Sequence, residues 1–522
     1  MRPTVLFPCL ASLVLSGNLL AQQQVEPVAP ERASQTETIE RAGRDLRDTK
    51  EEVRLGAAKL LGKYKTLRSM TLLAGSPTGA SGTAWGLNDP SVRVRRAVVV
   101  SFSEFLMSGI YANNRSLLER FLEKLADPDI EVRRQVSEML PGLGSGLFRS
   151  NYQVVEINGQ RVFRSTPYAL PPKLATIVQR AFQDEDPIVR QTMLKYFYVL
   201  RIPLPPLTLE RLLGDEDRGV RMAALDRVTM LPPHDAVFRK LREMTKHEDV
   251  GVRQKVASIA RSSSHRTSRD ILRSLRDDED PYVMTLAVTS LARLGEPQPD
   301  AMVEKVREFL MGTSSTSNQV VSLVYAVSAF GSHQSQIIFR ALTEHDAPKI
   351  RRIAWQRFLG YDNGWSNPKL WLPALQDRDR KTRETITSIV VSRARTFDSK
   401  TMTALVGNSY VDVRRFAADC LALVTPKVAD EFRFDLLIDE KTEVRAAALR
   451  SVGIRRPSNW LLILERSLLD EESMIQRVAL EYLLNDRAQG IPALIKFSRK
   501  HPRNPITARI RVELASRNVL IP

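Results

Sequence analysis

Apolar residues return to the same helical stripe thirteen times along this chain. Each stripe begins at an anchor: Val53, Val94, Val132, Val189, Val220, Val252, Val283, Val320, Ile350, Thr382, Val413, Val444 or Ile475, with Thr382 the one polar anchor. Four residues on, the position is apolar in every copy, from Ala57 and Val98 through to Ala448 and Ala479. Apolar residues at i, i+4 and i+8 predict one buried face of a helix, and the frequent alanines predict close approach of its neighbours. A second apolar stretch, such as 429–437, precedes each stripe, so every period holds two helices. From Val189 onward the anchors are 31, 32, 31, 37, 30, 32, 31, 31 and 31 residues apart. One helix pair cannot bury such a stripe alone, but stacked pairs can. The pattern therefore predicts an all-α fold, an α-α superhelix of about thirteen pairs over 34–486, with 487–522 as a C-terminal cap.

Polar positions are just as regular. Five residues before the anchor stands an aspartate in nine copies, including Asp48, Asp127, Asp278 and Asp439; His247, Ser315, His345 and Asn408 replace it elsewhere. Arginine follows the anchor in ten copies. An aspartate between two helices suits an N-cap. An arginine at a helix start opposes the helix dipole, so it needs an acidic partner. Together they read as a ladder linking successive repeats. Repetition at this period argues for architecture rather than a unique pair of catalytic acids.

The phrase Asp-x4-Val-Arg-x2-Ala, clearest over Leu437–Ala448, resembles the HEAT repeat family in its short bacterial form, shared with phycobilisome-lyase-like repeats. The resemblance covers about 36–486. It implies an armadillo-type solenoid that binds proteins, and sometimes nucleic acid, with second helices lining the concave side.

Interruptions are where individual function is expected. The widest lies between Val132 and Val189. Within it, Val154 to Phe163 alternates around Asn158-Gly159 and predicts a β-hairpin, at about 150–165, with Val155 opposite Val162 and Glu156 opposite Arg161. Ala74 to Gly86, rich in Gly, Ser and Thr, predicts a loop inside the second repeat. The segment 351–373 holds three of the five tryptophans beside several cations, the composition of an interaction hot spot. Arg352 belongs to a row two residues after the anchors, with Arg96, Arg134, Arg415 and Arg477, which a helical wheel turns away from the buried stripe. The expected partner site is therefore Arg352, Trp365, Trp371, Lys369, Tyr361 and Arg415, facing a protein with an acidic surface.

Charge supports this and narrows little else. The formal net charge is +17, concentrated in 51–100 (+5), 351–400 (+6) and 501–522 (+3). At the N-terminus, Met1-Arg2-Pro3, an interrupted apolar run over 6–20 and Ala21 before Gln22 read as a secretory signal peptide over 1–21, with an uncleaved anchor as the alternative. A polar leader over 22–33 follows, and Ser34-x-x-Glu37 reads as a capping box opening the first helix. The location expected is periplasmic or extracellular. Without the signal, Cys420 is the only cysteine, set beside an apolar face as a small core residue.

Motifs of chemistry are missing: no Cys-x-x-Cys-His, no His-Glu-x-x-His and no Gly-Lys-Ser/Thr loop. Asp-x-Asp pairs such as Asp127/Asp129 do not continue into a calcium loop, and capping accounts for them. The expectation is an exported, non-catalytic scaffold without cofactor or metal. The alternatives are a bilin-lyase-type enzyme, whose setting is not an exported one, and a nucleic-acid binder of the HEAT-like kind, for which the charge is only regionally basic.

Overall fold

A computed structural model describes residues 30–75, 84–107, 115–143, 151–157, 160–166, 170–200, 202–361 and 364–519. The signal segment, leader residues 22–29, the 76–83 loop, Asn158-Gly159 and Asp362-Asn363 lie outside the described residues. The described chain contains 28 α-helices and one two-stranded sheet. Thirteen helix pairs carry the anchors, and a fourteenth pair, Gly490–Lys500 and Pro505–Ala515, closes the C-terminus. No described helix is long and apolar enough to cross a membrane.

The stripe does what its spacing predicts. Twelve of the anchors are buried, and Val53, at the start, is half-buried. Thr382, the polar anchor, is tolerated because its hydroxyl donates to Asp379 at 2.8 Å. The i+4 residues are buried in every repeat. Small residues bring second helices together: Gly62 on Glu51–Lys63 faces Ser101 on Val92–Met107, and a Cβ there would collide with it. Ser101 Oγ donates to the Ala58 carbonyl at 3.1 Å. Ser451, at the same register twelve anchors into the array, donates to the Ala418 carbonyl at 2.6 Å. Cys420 shares that register; it is fully buried, and burial pushes its thiol pKa up.

The chain divides into two compact units, 1–230 and 231–522. The first holds repeats 1 to 5 and the second repeats 6 to 13 with the closing pair. Within each, second helices of neighbouring repeats pack directly on one another, as Glu51–Lys63 does on Val92–Met107 and Val411–Cys420 on Thr442–Arg455. The insertion is an antiparallel hairpin, Asn151–Ile157 with Gln160–Thr166, and pairs Val155 with Val162 and Glu156 with Arg161.

Two expectations about helix starts are corrected. The first helix runs Pro30–Asp45, so Ser34 lies inside it and cannot cap it. Likewise the aspartate five before the anchor is not the N-cap. The cap is the residue three before: Asp129, Asp186, Asp217, Asp249, Asp280 and Asp379 each accept an amide of the first turn. Ser317 does the same with its hydroxyl.

Candidate functional site

Each inter-helix turn is built by side chains. The aspartate five before the anchor accepts the N–H two residues on, as Asp127 does from Asp129 at 3.0 Å and Asp439 from Lys441 at 2.9 Å. That is an Asx-turn, and the capping residue follows it. His247, His345, Asn408 and Ser315 make the same bond with ring nitrogen, amide oxygen or hydroxyl.

The aspartate's other bonds run to the previous repeat. Arg54 grips Asp89 at 2.8 Å, Arg95 Asp127 at 3.0 Å, Arg190 Asp215 at 2.7 Å, Arg253 Asp278 at 2.8 Å and Arg414 Asp439 at 2.7 Å. Arg133 with Asp184 and Arg351 with Asp377 repeat it. Each guanidinium also donates to two carbonyls of its own turn; Arg351 reaches those of His345 and Asp346 at 2.8 and 2.7 Å. A buried ion pair offsets its desolvation only when its remaining N–H groups are satisfied, and these carbonyls satisfy them. The same bonds resolve the conflict between arginine and the helix dipole.

Where the arginine is missing, the acid of the next repeat is missing too. Met284 is followed by Ser315, and Val321 by His345, whose Nε2 lies 2.9 Å from the Thr313 carbonyl. Arg383 faces Asn408 and turns instead to Asp412 at 2.8 Å. Arg221, the last ladder arginine of the first unit, holds the carbonyls of Asp215 and Glu216 and has no salt bridge among the described residues.

A second ladder uses the arginine row expected to meet a partner. Arg96 bridges Asp129 at 2.8 Å, Arg134 bridges Asp186 at 2.6 Å and Arg352 bridges Asp379 at 2.8 Å. The acids are the N-caps of the next repeat. Burial would push the Asp379 carboxyl up, but hydrogen bonds from Arg352, the Thr382 hydroxyl and the Thr382 amide hold it down at about 2. Arg352 is thus occupied. Arg415, on Val411–Cys420, is exposed and has no salt bridge among the described residues.

The tryptophans divide. Trp371 is fully buried and stacks obliquely on Phe397 at 5.4 Å, so it is core and not a contact; this corrects the expectation. Its neighbour Leu370 takes the exposed position instead. Trp365 is half-buried against the same core, and Tyr361 is half-buried with its ring 6.3 Å from Phe339. Of the six expected residues, Lys369 lines an open groove.

That groove, about 690 Å³, lies between the first helix of repeat 9, Ser332–Leu342, and the short helix Pro368–Trp371 of repeat 10. Phe358 and the edge of Trp355 form its floor, with Ile337 and Leu370 on its banks. Ile337 is 49% and Leu370 37% exposed, a high value for such side chains. Arg340 and Lys369 are exposed on opposite banks, and neither has a carboxylate within salt-bridge distance among the described residues; Glu344 stands at one end. A recess of about 500 Å³ shares Thr343, Glu344, Trp355 and Pro373 and extends it toward the turn of repeat 10. Ile337 and Arg340 escaped the sequence reading because they sit on a regular first helix beside the core residues Ile338 and Phe339. The only signal was the charge excess of the following fifty residues. Among the described residues no three His, Cys, Asp or Glu side chains gather as a metal site would require.

No protein-family model matches the chain, and comparison with curated proteins gives no match. Solved structures similar to it include Kap121p bound to Pho4p, at 12% identity and a TM-score of 0.41 over 92% of this chain and 57% of that one. The karyopherin Kap121p bound to the extreme C-terminus of the protein phosphatase Cdc14p is similar at 12% identity and a TM-score of 0.44, over 94% of this chain and 56% of that one. The Kap95:Nup1 complex is similar at 11% identity and a TM-score of 0.44, over 94% and 71%. The chain spans little more than half the length of the Kap121p chains.

Proposed function

We propose that the chain is a non-catalytic scaffold of HEAT type that binds a protein partner, and that an acidic, apolar-tipped segment of that partner docks in the groove of repeats 9 and 10. One observation carries this reading. Most ladder arginines are consumed by neighbouring acids, whereas Arg340 and Lys369 have no carboxylate within salt-bridge distance among the described residues and stand beside the exposed side chains of Ile337 and Leu370. Apolar area beside unsatisfied charge suits a partner that supplies both a hydrophobic tip and a carboxylate. The partner site of the expectation thus moves from Arg352, Trp365 and Trp371 to Ile337, Arg340, Lys369 and Leu370. Affinity capture on the chain, compared with Ile337→Asp/Lys369→Glu, tests it. The variant is expected to lose the specific partner and keep its melting temperature; retention of every captured protein would reject the groove. The reading includes export, which rests on the apolar run over 6–20 and Ala21. N-terminal sequencing of protein from the producing cell is expected to begin at Gln22, and a start at Met1 would reject cleavage.

A further inference from the structure

A second groove lies in the first unit, between second helices. The second helices Glu51–Lys63 and Val92–Met107 run side by side, and between them opens a cleft of about 550 Å³. Leu55, Ala97 and Val100 form its floor, and Val100 is 42% exposed. Lys59 and Lys63 line one bank, one helical turn apart, both exposed and neither with a carboxylate within salt-bridge distance among the described residues. Like charges at i and i+4 weaken a helix by about 0.2–0.5 kcal/mol, so the pair is a cost in the free chain. Arg93 and Arg96 line the opposite bank. Each is held by acids, Arg93 by Glu51 and Glu52 and Arg96 by Asp129, which fixes their guanidinium groups in place. Glu104 is the one acid lining the cleft.

The cleft is pre-formed. Gly62 against Ser101, and the Ser101 bond to the Ala58 carbonyl, lock the two helices together. Binding there orders little that is not already ordered. The shape is an apolar strip with a cationic bank of Lys59 and Lys63 on one side and arginines already paired with acids on the other. A single-stranded nucleic acid would want aromatic side chains for stacking, and none of the described residues that line the cleft is aromatic. A bare polyanion would leave Val100 and Leu55 facing charge. A helix with an apolar stripe flanked by carboxylates satisfies both features.

We propose that this cleft between the second helices of repeats 1 and 2 binds an acidic amphipathic helix of a partner protein. The site is independent of the groove in repeats 9 and 10, and either can fail without the other. The test uses the full chain and, as probe, a fluorescein-labelled designed helix of glutamate and leucine with leucines at i, i+3, i+4 and i+7. Polyglutamate and a single-stranded oligonucleotide serve as competitors. Lys59→Glu/Lys63→Glu is expected to weaken probe binding tenfold or more with unchanged melting, because neither lysine holds a bond that the fold needs. Val100→Ser is expected to weaken the probe and leave polyglutamate binding as it was. Ile337→Asp/Lys369→Glu is expected to bind the probe like the parent. Undiminished binding by the double lysine variant would overturn the proposal. So would displacement of the probe by polyglutamate or the oligonucleotide at equal concentration, or loss of binding only in Ile337→Asp/Lys369→Glu.

Discussion

Asp439 accepts the Lys441 amide at 2.9 Å and Arg414 at 2.7 Å, so one carboxylate shapes its own turn and ties it to the repeat before. It caps nothing: the N-cap position is Lys441, which offers no side-chain acceptor. Asp439→Ala therefore removes a turn and a rung, and the expected loss is roughly 2 kcal/mol, the scale of charge-assisted hydrogen bonds. Chemical denaturation measures it, and partner capture should be unaffected. Asp379 gives the pH signature. Its carboxyl sits at about 2 in the fold against its ordinary 3.8, so its stabilisation is full above pH 4 and is lost as pH falls toward 2. The stability gap between the parent and Asp379→Asn should narrow over that window, read from melting at fixed pH steps; a gap that stays constant from pH 5 to pH 2 would contradict the assignment. At this scale the sequence was legible in part. Residue type and period exposed Asp and Arg as a ladder. The division of labour between two aspartates two residues apart was hidden, because Asx-turn and N-cap call on the same side chain and differ only in backbone geometry.

Elements were the most legible scale, since a buried stripe at helical spacing is a direct consequence of which face must leave water. The Asn-Gly hairpin was legible for the same reason: alternation sets faces and the turn sets register, and Val155 does pair with Val162. Trp371 was misread because a cluster of tryptophans and cations has the composition of a contact surface, whereas the helical face that carries Trp371 turns it onto Phe397 in the core. Close approach of second helices rests on single small residues. Gly62→Ala puts a methyl into Ser101 and is expected to cost about 1–3 kcal/mol, as overpacking does, despite the better helix propensity of alanine. Denaturant midpoints would show it, and a stabilised variant would mean that the helices can separate freely. The missing rung between repeats 7 and 8 offers the reverse experiment. Met284→Arg and Ser315→Asp should each be neutral or destabilising alone and favourable together, with a coupling of about 1–3 kcal/mol in a double-mutant cycle.

At the scale of the whole chain, thirteen copies of one phrase make stability local. Each repeat touches its neighbours in sequence, so energy removed at one rung is felt by adjacent repeats and fades beyond them. The ladder also has breaks. Met284 and Val321 stand where other repeats carry the arginine, and Ser315 and His345 where the next repeats would carry the aspartate. In the second unit one buried cluster runs from Trp355 to Ala448 and another from Ala446 to Leu514, and Leu437 packs against both. An array built this way opens in segments rather than all at once. Asp439→Ala should therefore raise amide hydrogen exchange in repeats 11 to 13, around Val411–Cys420 and Thr442–Arg455, and leave the helices Glu51–Lys63 and Val92–Met107 at their parent rates. Gly62→Ala should do the opposite. Exchange that rises evenly along the chain in either variant would mean that the fold is one cooperative body, and that the regular period sets its shape without setting how it comes apart.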